Sequence, residues 1–83
     1  MLNLKPGDFC IKIISGPSSE VACLARVKTV KENGIRTHEA RSHYDPKTGI
    51  ELNPIIPGWV SRLVEIDGGQ AELANWAYRL VER

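Results

Sequence analysis

Cys10, Cys23, His38 and His43 are the residues whose types could bind a metal or drive nucleophilic chemistry. Their spacing argues against both. Structural zinc sites bring ligands in close pairs, only a few residues apart. Here twelve residues separate Cys10 from Cys23, and the histidine numbers differ by five. In one continuous strand an odd difference sends two side chains to opposite faces. A Cys–His nucleophile needs a shared cleft and a third group to orient the base, and the sequence supplies neither. The stretch "GPSSE", 16–20, lacks the lysine and the spacing of a phosphate-binding P-loop. The expectation is a protein that is not an enzyme, with no metal and no cofactor.

Basic residues are the other chemistry on offer. "TVKENGIRTHEAR", 29–41, carries Lys31, Arg36, His38 and Arg41 around a turn. Asn33-Gly34 fits a two-residue type I′ hairpin loop, which needs positive φ at both central residues. With that loop the strand returns over 35–44. Arg26 then lies opposite Arg41 and Leu24 opposite His43, on a face shared with Lys28. Ala25 and Val27 face inward, and Arg36 shares their side near the hairpin tip. Like charges directly opposite cost a few tenths to about 1 kcal/mol, so the Arg26–Arg41 pair asks for a reason. Either both guanidiniums splay into solvent or lie near Glu20, Glu51 or Glu65, or Arg26, Lys28, Arg36, Arg41 and His43 form an anion-binding surface. Phosphate backbones of DNA or RNA are a common partner for such a surface.

The elements that must position these residues are short strands with strong turn signals. "LKPGD", 4–8, launches the strand "FCIKII", in which Phe9, Ile11 and Ile13 are expected inward. "VACLARVKTVK", 21–31, is a long strand and precedes the basic turn. "DPKTG", 45–49, is a second turn, "IELN" a short strand at best, and "PIIPG" unfit for the middle of a sheet. "WVSRLVEI", 59–66, is a last strand. Trp59 sits beside a barrel mouth, where it either plugs the end or is presented to a ligand.

Asp67 can cap a helix with Gln70 in capping-box position. Over 68–82 the apolar positions, among them Trp76, Ala77, Tyr78 and Leu80, span an arc of roughly 220° at 100° per residue. A surface helix buries a stripe nearer 100° wide. Either the helix packs on the barrel with one side and a second copy of the chain with the other, or its alanines simply fill space.

Eighty-three residues make one domain, with a barrel over about 4–66 followed by the helix. A chain of this size buries only about 60–65% of its unfolded surface, so its margin of stability is thin. Net charge is +1, made of +3 over residues 1–50 (eight basic, five acidic) and −2 over 51–83 (three basic, five acidic). The positive charge therefore lies with the strands. No apolar run approaches a membrane span and "MLNLKPGDFC" is no signal peptide, so reduced thiols in a cytoplasm are expected, with no membrane partner. The fold class is mainly β: a small SH3-like barrel of about five strands with a C-terminal helix. An α+β sheet packed on that helix is the alternative.

Gly7-Asp8 at the strand entry, Val27 and Val30 in the long strand, and Tyr44, Lys47, Thr48 and Gly49 around the second turn give the chain a resemblance to small SH3-like barrel proteins of bacteriophages and prophages. The "NPIIPGW" loop and the Trp-bearing helix depart from that pattern. The resemblance implies a fold and a mobile-element origin, without an activity. Two functions are expected of such a chain. One is a module that contacts nucleic acid through Arg26, Lys28, Arg36, Arg41 and His43. The other is a small phage-type protein that regulates or inhibits a host protein through Trp59, Trp76 and Tyr78, with a homodimer through the helix as a further possibility.

Overall fold

Turn residues set the strand boundaries. The structure, a computed structural model, describes residues 2–66. Among these, six strands follow in order: β1 (Phe9–Ser15), β2 (Glu20–Lys31), β3 (Gly34–Thr37), β4 (His43–Tyr44), β5 (Glu51–Leu52) and β6 (Val60–Glu65). The helix expected over 68–82, with Trp76, Tyr78 and the dimer contact assigned to it, lies outside the described residues.

All pairings are antiparallel, in the order β5-β4-β3-β2-β1-β6. Ile50 bridges to Arg62, and the Leu63 N–H donates to the Gly49 carbonyl at 2.8 Å. The Ser61 N–H donates to Glu51 Oε1 at 3.1 Å, so a carboxylate satisfies an edge group where a ladder would otherwise be needed. The result is a small, nearly closed antiparallel β-barrel.

Its core is Leu4, Cys10, Ala25, Val27, Ile35, Tyr44 and Leu63, with Leu2 packed against it. The turn at Lys5–Asp8 is tied to the core strand twice: Gly7 N–H to Val27 O and Val27 N–H to Asp8 O, each 2.8 Å. Asp8 also accepts from the Lys5 N–H at 2.9 Å.

Three expectations are corrected. First, the basic turn is centred on Glu32-Asn33, with Lys31 opposite Gly34, Val30 opposite Ile35 and Thr29 opposite Arg36. Neither Glu32 nor Asn33 has positive φ, which excludes the I′ geometry. Gly34 takes the fourth turn position, where a type I turn favours glycine. Its φ of 151° and a would-be Cβ only 3.1 Å from His43 Cβ keep a larger residue out. Second, the register shifts between Val27 and Thr29, leaving Lys28 as a bulge. A bulge bends a strand and inverts which residues face inward beyond it. Ala25 and Val27 therefore face the core, as expected, while Ile35 and Thr37 fill the inner face of β3 and Arg36 points outward. Third, the return strand is broken into β3 and β4, which is why six strands are found and not five. His38 N–H bonds to Arg26 O at 3.1 Å, and Glu39 Oε1 accepts the Arg26 N–H at 2.7 Å. A side-chain carboxylate thus takes the ladder position that the backbone would have filled.

The phase of β1 is also the reverse of the expected one. Cys10 is fully buried opposite Ala25, so Cys10, Lys12 and Ile14 line the inner face and Phe9, Ile11 and Ile13 the outer. Cys23 is exposed, and both cysteines are free thiols.

Candidate functional site

The loop 53–59 between β5 and β6 builds the most elaborate feature of the surface. Pro57 and Gly58 form its tip, closed by a bond from the Trp59 N–H to Ile56 O at 3.1 Å. Proline followed by a residue with φ of 82° is the signature of a type II turn, which requires glycine at that second position. The turn folds Trp59 back across the molecule. Its indole lies over Gly16, where an added Cβ would meet three ring carbons at 2.6–2.7 Å. Trp59 is therefore half-buried and anchored, while Ile55 and Ile56 stand 65% and 62% exposed.

Under this loop lies a cavity of about 340 Å³. Ile14, Ile55, Ile56 and Trp59 give it apolar walls, and Lys12, Arg41, Ser42, Tyr44, Glu51 and Ser61 give it polar ones. Glu51 is fully engaged, accepting from Ser42 Oγ at 2.6 Å and from the Ser61 N–H at 3.1 Å. Tyr44 is fully buried, and its hydroxyl has no hydrogen-bond partner. Burial pushes the phenol up to about 12, the Glu51 carboxylate adds to this, and the Ser42 hydroxyl opposes it. Ser42 is near enough to act on Tyr44, but its own proton is committed to Glu51.

The five basic residues expected on one hairpin face are divided. Arg26 and Arg41 are not opposite each other. Arg26 lies opposite Phe9, its guanidinium 5.3 Å above that ring, and its Nε donates to Gly7 O at 3.4 Å. Lys28 is the bulge residue and is exposed. Arg36 and His43 are direct cross-strand partners on the outer face, and Leu52 continues the row beyond His43. Arg41 stands on the bend before β4 and lines both the Trp59 cavity and a neighbouring one of about 290 Å³ that includes His43. The structure thus gathers Arg36, His43 and Arg41 and sets Arg26 and Lys28 apart. Arg36 Nε is buried without a partner.

His38 and His43 lie on separate segments, and no group of three or more metal-ligating side chains forms among the described residues.

Lys12 and Glu51 were not legible as site residues. Lys12 is hidden by the phase of β1, because "FCIKII" is apolar at most positions on both faces. Glu51 gave one signal, an acid in a two-residue strand facing a basic chain half, but its role depends on barrel closure. No protein family, no curated protein and no solved structure matches this chain, so none of them adds a phage origin or an activity to the barrel.

Proposed function

We propose that this protein is a non-enzymatic binding module that holds a peptide segment of a protein partner against the Trp59 loop. The observation that supports this reading is the pairing of an anchored Trp59 with two isoleucines held in solvent above a cavity. Isoleucines 65% and 62% exposed at a turn contribute nothing to the core. Clustered exposed apolar residues beside a pocket mark interaction sites more often than ordinary surface. The class of partner in this reading is a host protein that the module regulates or inhibits.

A selection of displayed random peptides against the immobilised protein tests the proposal. Peptides that bind the wild type are expected to lose about ten- to a hundredfold in affinity with Ile55→Asp, since burying an isoleucine is worth about 1.5–3 kcal/mol. Failure to enrich any peptide, or peptides indifferent to Ile55→Asp, would overturn it.

A second reading is favoured by one observation, the cross-strand Arg36–His43 pair with Arg41 nearby and an unpartnered Arg36 Nε. In that reading the outer face of β3 and β4 contacts nucleic-acid phosphates, without Arg26 and Lys28.

A further inference from the structure

The cavity under the Trp59 loop has a composition that selects a ligand. Two cations, Lys12 and Arg41, line it against one acid, Glu51. Both Glu51 oxygens already accept hydrogen bonds from Ser42 and Ser61, so the acid is tied to the barrel wall. What remains is positive charge beside apolar walls. Lys12 is half-buried at the cavity wall. The fully buried Tyr44 borders the same cavity, with its hydroxyl sealed from solvent. The phenol lies beside Ser42 and Glu51, which also line the cavity.

A volume of about 340 Å³ lies at the small end of the range for ligand sites, about 300–1,000 Å³. It suits one large residue, not a chain passing through. A terminal residue brings bulk and a carboxylate together.

Resting on the peptide-binding reading above, we propose that this cavity takes the C-terminal residue of a partner chain, a bulky aliphatic or aromatic residue with a free carboxylate. Its side chain packs on Trp59, Ile55 and Ile56. Its carboxylate faces Lys12 and Arg41. Capture of a terminal carboxylate is a recurring mode of peptide recognition.

The test is a titration of the ¹⁵N-labelled full chain, following the Trp59 indole N–H, identified by its loss in Trp59→Phe. The probes are acetylated tetrapeptides ending in Phe or Leu, as free acids and as amides, together with N-acetylphenylalanine. The free-acid peptides are expected to shift the indole signal and to bind about tenfold or more tightly than the amides. Arg41→Gln is expected to weaken the acid about three- to tenfold and the amide little. The variant is expected to keep the dispersed spectrum of the fold, because Arg41 is exposed.

Equal binding of acid and amide would overturn the carboxylate proposal. The loop reading would survive that result if Ile55→Asp still removed both. N-acetylphenylalanine binding as tightly as the tetrapeptides would overturn the partner chain in favour of a small carboxylic acid. No shift with any free acid would overturn the proposal, whereas the loop reading itself falls only if displayed peptides also fail.

Discussion

Tyr44 carries a phenol hydroxyl that nothing in the barrel receives. A buried polar group left unpaired costs about 1–3 kcal/mol. Tyr44→Phe is therefore expected to leave urea stability unchanged or raise it by up to that amount. A clear loss of stability would mean that the hydroxyl has a structural partner. The same residue shapes alkaline behaviour together with Cys10. Burial raises the Cys10 thiol from 9.0 to about 12, with Glu39 and Asp8 adding to the effect and Lys12 opposing it. Tyr44 rises from 10.0 to about 12. Both folded values lie above the unfolded ones, so the folded chain holds these protons more tightly. Stability is then fully present below about pH 9 and falls as pH rises toward 12, by up to about 1.4 kcal/mol per pH unit for each group. Urea midpoints measured across that window should fall less steeply above pH 10 in Tyr44→Phe than in the wild type. Equal slopes would contradict the burial of the phenol. Thiol labelling gives a separate check. Cys23 is exposed and should react at once with a disulfide reagent, while buried Cys10 should wait for unfolding.

At the scale of elements, turns were legible and phases were not. "LKPGD", "DPKTG" and "IIPG" each carry residues that a specific turn requires, and each is a turn in the structure. Asn33-Gly34 marked a hairpin correctly but not its centre, because glycine suits both the second position of an I′ loop and the fourth of a type I turn. The two geometries differ in one measurable way. An I′ loop would make Asn33→Ala costly, since alanine resists positive φ. With the observed turn, Asn33→Ala should change stability by no more than about 0.5 kcal/mol, while Gly34→Val should cost roughly 1–3 kcal/mol. Equal costs in urea denaturation would restore the expected loop. The bulge at Lys28 had no signal, because a bulged lysine is indistinguishable in sequence from an outward one. The break at 38–42 was hidden for a related reason: Glu39 reads as a strand residue, and only its bond to the Arg26 N–H shows that it ends the ladder. Those two events undid the Arg26–Arg41 pair on which the nucleic-acid expectation leaned.

At the scale of the molecule, seven buried apolar residues among the described ones leave little core to spare. Apolar residues such as Ile55 and Ile56 are nevertheless held in solvent, and Lys12 is turned inward. Local consistency fails most often where function requires it. Trp59 and Arg41 could be singled out from the sequence as site residues, one because it follows the "IIPG" loop and the other through a pairing with Arg26 that the structure does not contain. That they border one cavity with Lys12, Tyr44 and Glu51 is a product of barrel closure, which links strands distant in sequence.

The most direct test of the central claim, a partner site at the Trp59 loop and not on the basic face, is fluorescence anisotropy run in parallel. A labelled loop-binding peptide and labelled duplex DNA, single-stranded DNA and RNA are titrated with the wild type, Ile56→Asp and Arg36→Glu. Each titration is made at about 50 and about 500 mM salt, because three phosphate contacts would lose roughly a hundredfold on single strands and about five-hundredfold on duplex DNA over that range. Peptide binding is expected to change less than about threefold with salt, to be lost in Ile56→Asp and to survive in Arg36→Glu, with no comparable nucleic-acid binding. Nucleic-acid binding that weakens steeply with salt, disappears in Arg36→Glu and ignores Ile56→Asp would contradict it and move the site to the Arg36–His43 face.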